Sequence, residues 1–96
     1  MKLTVLGSGT ALPTPERRAS GFLLESGGSV VLVDGGSGTL QALAQNGVAP
    51  LEIDAGVYTH QHVDHTGDLP SLLFAMRAAG RSAKHGDYPL FGGVGF

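Results

Sequence analysis

Val30-Val31-Leu32-Val33 is an uninterrupted apolar run, bounded by Gly27-Gly28 on one side and by Asp34-Gly35-Gly36 on the other. A strand of this kind offers water no polar face, so it must be covered on both sides. That requirement calls for a layered structure rather than a single exposed sheet. The remaining punctuation of the chain agrees. Sixteen of the 96 residues are glycine, against a usual share of about 7%. They follow no period and fall between apolar runs, which predicts many tight turns joining short elements.

Residues 3–6 form a first strand, stopped by Gly7-Ser8-Gly9. Residues 10–20, with Pro13, Pro15 and the cluster Glu16-Arg17-Arg18, form a loop. Residues 21–25 and 29–34 are two strands joined through Gly27-Gly28, a pair suited to the positive φ of a tight hairpin turn. Leu40, Leu43 and Ala44 fall at helical spacing, so residues 39–46 form a short amphipathic helix ended by Gly47. Residues 53–59 form a fourth strand. Residues 69–79 form a second helix, with Pro70 tolerated in its first turn and Gly80 at its end. A polar loop over 81–87 leads to a fifth strand at 88–91 and a turn, Gly92-Gly93-Val94-Gly95-Phe96. Alternating strands and helices predict an α/β fold with helices packed against a sheet.

The fourth strand runs directly into His60-Gln61-His62-Val63-Asp64-His65, which holds three of the four histidines of the chain. There are no cysteines, so disulfides and thiolate-bound metals are excluded and any metal must be held by His and carboxylate. His60 and His62 are two apart. On the extended end of a strand, side chains two apart point the same way, so both imidazoles reach one ion. Asp64 and His65 follow where the chain must turn, and a turning backbone sends them toward a second ion. Two ions about 3.5–4 Å apart are the usual arrangement for activating a hydroxide against a phosphate or carbonyl. The four side chains are therefore predicted metal ligands, with zinc preferred and manganese or iron as alternatives at such an N/O site. His85 lies alone in the polar loop and is read as a surface residue.

The net charge is −2 with no basic block, which argues against a large phosphate-binding surface within these residues. The apolar stretch before Gly7 is too short for a signal peptide, and no apolar run is long enough for a membrane span. A soluble, cytoplasmic chain without membrane association is the expectation.

The run from Thr59 to Gly67, containing His-x-His-x-Asp-His, resembles the signature of the metallo-β-lactamase superfamily. Leu6-Gly7-Ser8-Gly9-Thr10 with Pro13-Thr14-Pro15-Glu16-Arg17 resembles the opening of ribonuclease Z and its relatives. So do Val33-Asp34-Gly35-Gly36-Ser37-Gly38-Thr39, Gly67-Asp68-Leu69-Pro70-Ser71-Leu72-Leu73 and Leu90-Phe91-Gly92-Gly93. The resemblance implies an αββα sandwich of two similar halves, of which residues 1–96 supply the N-terminal one, with two zinc ions at one edge. It implies that His60 and His62 serve one zinc and Asp64 and His65 the other. Asp64 would also assist proton transfer from the attacking water. Asp34 would orient the His-bearing loop, or cap its own turn and the following helix. Asp68 is expected to be a capping group only.

The activity implied is zinc-dependent hydrolysis of a phosphodiester, RNA included, by metal-bound hydroxide. Some positions depart from the pattern. Pro15 stands where the family's transfer-RNA-reading loop carries Lys, Arg18 where it carries Asn, and Ser37 where ribonuclease Z has Glu. Hydrolysis of lactones, thioesters or sulfate esters is the alternative. The family's later ligands and its general acid have no counterpart here. The chain is therefore expected to be a partial domain that needs the missing C-terminal half or a complementary chain and is inactive alone. The sheet face meant for a second sheet would be exposed and would favour a homodimer.

Overall fold

The computed structural model describes residues 1–93; the last three residues of the expected glycine turn, 94–96, lie outside the described residues. Its centre is a five-stranded sheet in sequence order: β1 (Lys2–Gly7), β2 (Gly21–Ser26), β3 (Ser29–Val33), β4 (Ala55–Tyr58) and β5 (Leu90–Gly92). The first two pairings are antiparallel and the last two parallel. The helices are α1 (Thr39–Gln45), a single turn α2 (Val63–Thr66), and α3 (Leu69–Ala78). The predicted α/β class is borne out as a mixed sheet with helices. No helix among the described residues is long and apolar enough to cross a membrane.

The β2–β3 hairpin closes at the Ser26–Ser29 pair, with φ of 57° at Gly27 and 84° at Gly28. Positive φ at both central residues is the turn whose twist matches that of the flanking strands. Strand alternation then sorts the side chains. Leu23 pairs with Leu32, and both lie on the face that also carries Leu6. This face forms the core with Ala42 and Leu43 of α1, Leu72 and Met76 of α3, and Ile53. The parallel β3–β4 pairing needs a crossover, which α1 and a short 3₁₀ turn (Pro50–Glu52) provide.

The opposite face carries Leu3, Val5, Phe22, Leu24, Val31, Val33, Ala55, Val57 and Phe91, with no charged side chain among them. Leu3, Val5 and Phe91 are 59%, 55% and 57% exposed. Among the described residues, the continuous run at 30–33 is thus covered by helices on one side only.

Element bounds differ from expectation where packing overrides local pattern. The fourth strand begins at Ala55 rather than at residue 53, because Ile53 leaves the ladder to enter the core. The fifth strand begins at Leu90 rather than at 88, because Tyr88 turns inward against the same cluster. The loop at 81–87 contains a 3₁₀ turn (Ala83–His85), in which the amide of Ser82 donates to His85 Nδ1 at 3.0 Å.

Burial pushes the Tyr58 hydroxyl up to about 12, reinforced by the negative charge of Asp34. Burial raises Tyr88 further, with Tyr58 and Asp54 adding to the effect and Arg81 opposing it. An acid whose pKa is raised by folding stabilises the fold below its unfolded pKa and loses that contribution as pH climbs. Neither of the two tyrosines should show tyrosinate absorbance near pH 10, where a free phenol is half ionised, and stability should fall from about pH 10 upward. One tyrosine ionising near 10 in the folded chain would contradict this packing.

Candidate metal centre

The site lies beyond the carboxyl ends of β3 and β4, the usual location for ligands in α/β sheets. It begins with Asp34, which follows β3 and is only 3% exposed. Asp34 has φ 57°, the left-handed region that a side chain other than Asn or Asp rarely enters. Its amide donates to the Val57 carbonyl at 2.8 Å, so the parallel ladder continues into the turn. This backbone conformation aims the carboxylate at the segment after β4. There Oδ1 accepts from the Thr59 amide at 2.8 Å, and Oδ2 accepts from the Thr59 hydroxyl at 2.9 Å and from His65 Nδ1 at 2.8 Å. Burial alone would raise the Asp34 pKa. The bonds from the Thr59 amide, His65 and the Thr59 hydroxyl outweigh it and hold the carboxyl below its ordinary value. Of the two expectations for Asp34, the hydrogen bonds run to the His-bearing segment and not to the helix that follows.

The two glycines after Asp34 fasten the turn to its neighbours. The amide of Gly35 donates to the His65 carbonyl at 2.6 Å, and that of Gly36 to the Ser20 carbonyl at 3.0 Å. A Cβ on Gly36 would collide with the Asp64 carbonyl oxygen and with the Ala19 methyl. The amide of Asp68 donates back to the Gly35 carbonyl at 3.0 Å. Asp68 does cap a helix, but not its own: its Oδ2 accepts from the Leu40 amide in the first turn of α1 at 2.8 Å, and no side-chain bond caps α3.

These ties shape the His-rich segment. β4 stops at Tyr58, so strand alternation is not what brings His60 and His62 together. The chain runs irregularly over residues 59–62 and then enters α2, where a turning loop was expected. The Thr66 hydroxyl donates to the His62 carbonyl at 3.2 Å and closes that turn. The imidazoles of His60 and His62 meet edge to face at 4.8 Å, and those of His60 and His65 at 4.1 Å. One ligand atom from each of His60, His62 and Asp64 lies within 4.8 Å of the others. Asp64 Oδ2 is 3.5 Å from His65 Nε2. The Nδ1 of His65 is taken by Asp34, which leaves Nε2 as its ligand atom. All four predicted ligands are thus adjacent, and Asp64 lies near His60 and His62 as well as near His65. Two imidazoles and a carboxylate are a donor set that suits a divalent transition metal. A cavity of about 180 Å³, lined by Thr10, Ala11, Pro13, Ser37 and Val63 among others, opens beside Asp64.

Sequence reasoning missed Thr59 and Gly36. Thr59 carried a signal, a hydroxyl directly before the first histidine. The close approach at Gly36 joins residues far apart in the chain and leaves no local trace.

The profile of the metallo-beta-lactamase superfamily matches residues 14–95, and the chain belongs to that superfamily. Ribonuclease Z of Mycolicibacterium paratuberculosis is 42% identical over 73 residues, which are 76% of this chain and 26% of that protein. Ribonuclease Z of Mycobacterium bovis is 33% identical over 99% of this chain and 34% of its own length. Human tRNase Z, short form, superposes with a TM-score of 0.83 at 35% identity, covering 99% of this chain and 36% of that one. The metallo-beta-lactamase fold protein YhfI of Bacillus subtilis gives 0.83 at 31% identity, over 97% of this chain and 36% of its own. The chain thus spans about a quarter to a third of the length of these curated relatives.

Gly36→Ala should cost about 1–3 kcal/mol of stability by overpacking and weaken metal binding by pushing Asp64 from the histidines. Urea denaturation and zinc titration measure the two effects. Stability and affinity both equal to those of the unsubstituted chain would refute the close approach.

Proposed function

We propose that this chain is part of a zinc-dependent phosphodiesterase resembling ribonuclease Z, to whose metal site it contributes His60, His62, Asp64 and His65. The observation that carries the proposal is the convergence of ligand atoms of His60, His62 and Asp64 within 4.8 Å, on a chain whose matched relatives are named ribonuclease Z. Zinc is the first choice for such donors, and manganese and iron suit the same N/O set. When bound, a zinc ion would lower the pKa of water to about 7 and supply a nucleophile at neutral pH. The chain's own groups hold and orient. Asp34 fixes His65 and the segment before His60, so the donors need not reorganise on binding. Asp64, half-buried among them, would take a proton from the attacking water.

Two ions need roughly three protein ligands each, and this cluster offers four side chains. Together with the share of the relatives that is matched and the uncharged apolar sheet face, this supports a partial domain. The remaining ligands, the general acid and the cover for that face then come from the rest of the parent or from a complementary chain. Alone, the chain is inactive, and its bare face favours self-association.

One contact favours a second reading. Arg18, in the loop where the family reads transfer RNA, donates to Gln45 Oε1 of α1 at 3.1 Å. That engagement, with Pro15 and Ser37 in place of charged residues, leaves room for an ester, lactone, thioester or sulfate ester substrate. The parent should cleave bis(p-nitrophenyl) phosphate or a transfer-RNA precursor. Chelation should abolish turnover and zinc restore it, and His62→Ala should reduce it at least about a hundredfold. Turnover of esters with none of phosphodiesters would establish the second reading, and substantial phosphodiester turnover by residues 1–96 alone would refute the partial domain.

A further inference from the structure

Thr59 sits between the buried carboxylate and the first histidine. Its hydroxyl oxygen is 2.9 Å from Asp34 Oδ2, 3.2 Å from Asp34 Oδ1 and 3.0 Å from His60 Nδ1. A carboxylate only accepts, and a threonine hydroxyl has one proton to give. That proton goes to Asp34. Toward His60 the same oxygen can then only accept, so His60 Nδ1 must be the donor. The neutral imidazole carries one N–H, which leaves His60 Nε2 as its free lone pair. His65 is set in the same way without an intermediary, since its Nδ1 is 2.8 Å from Asp34 Oδ2.

We propose that Thr59 is a positioning residue that relays Asp34 to His60, fixing the Nδ1–H tautomer so that Nε2 keeps its lone pair for a metal. One carboxylate then selects the tautomer of two histidines, directly for His65 and through the Thr59 hydroxyl for His60. A ligating histidine is commonly oriented through its other ring nitrogen. Here the orienting group is a hydroxyl from the adjacent residue, itself oriented by the carboxylate. Thr59 is also held through its backbone, whose amide donates to Asp34 Oδ1 at 2.8 Å. Because of this the hydroxyl stays aimed at His60 while the chain leaves the sheet. Thr59 is exposed at the strand end, so removing the hydroxyl opens no core cavity.

The inference rests on the metal reading of His60, and two readouts on the 96-residue chain separate them. Long-range ¹H–¹⁵N correlation spectra of the metal-free chain assign each tautomer, and competition with a chromophoric chelator gives the zinc affinity. In the unsubstituted chain His60 and His65 should both be Nδ1–H. Thr59→Val should release His60 to the Nε2–H or a mixed form, leave His65 unchanged, and weaken zinc about 10–100-fold. Thr59→Ser, which keeps the hydroxyl, should restore both. An Nε2–H tautomer at His60 in the unsubstituted chain overturns the proposal whether or not the valine variant folds. So does a valine variant with an unchanged tautomer, or with a changed tautomer and zinc affinity within twofold. A chain with the expected tautomer response but no zinc binding supports the relay and refutes the metal reading.

Discussion

Asp34 carries the site. It is a buried carboxylate in a left-handed backbone conformation, two features that each cost free energy in isolation. Both are sustained by what the residue joins. Its amide extends the β3–β4 ladder, and its two oxygens collect the Thr59 amide, the Thr59 hydroxyl and His65 Nδ1. An acceptor group with donors at both oxygens is stable as an anion even when buried, and the bonds hold two separate segments at fixed separation. The donor cluster is placed by this one side chain more than by any regular element, since β4 has ended before His60 and α2 begins after His62.

The glycines around Asp34 serve the same end from the other side. The Gly35 amide donates to the His65 carbonyl, and Gly36 lies too close to the Asp64 carbonyl for any side chain to fit between them. Asp68 extends the fastening to α1, linking the start of the crossover helix to the start of the helix that follows the histidines. The core below is conventional packing of two helices on one sheet face. Above it, turn, loop and His segment are knit by backbone bonds, the arrangement that keeps a preformed donor set rigid.

Much of this was legible in the sequence. The hairpin at Gly27-Gly28, the crossover helix and the four candidate ligands follow from local pattern, because turn chemistry and His spacing act over a few residues. What was not legible depends on tertiary contact. Ile53 and Tyr88 read as strand residues yet turn into the core, because burial of a large side chain outweighs two more ladder positions. Asp68 read as a capping group, but that the helix it caps is α1 is a choice that only the packing of the two helices decides. Thr59 was overlooked beside the histidines, because its role needs the position of Asp34, 25 residues earlier.

One face of the sheet is covered and the other is apolar and partly exposed, and the donor cluster stands at the rim of this sheet. The central claim is that this rim alone already gathers imidazole and carboxylate donors around a metal. X-ray absorption at the zinc edge, measured on the zinc-loaded chain, tests it most directly. The account predicts a first shell of nitrogen and oxygen only, near the ~2.0–2.1 Å of imidazole-bound zinc, with the outer-shell scattering of at least two imidazoles. A spectrum of hydrated zinc, or one with no more than a single imidazole, would contradict it.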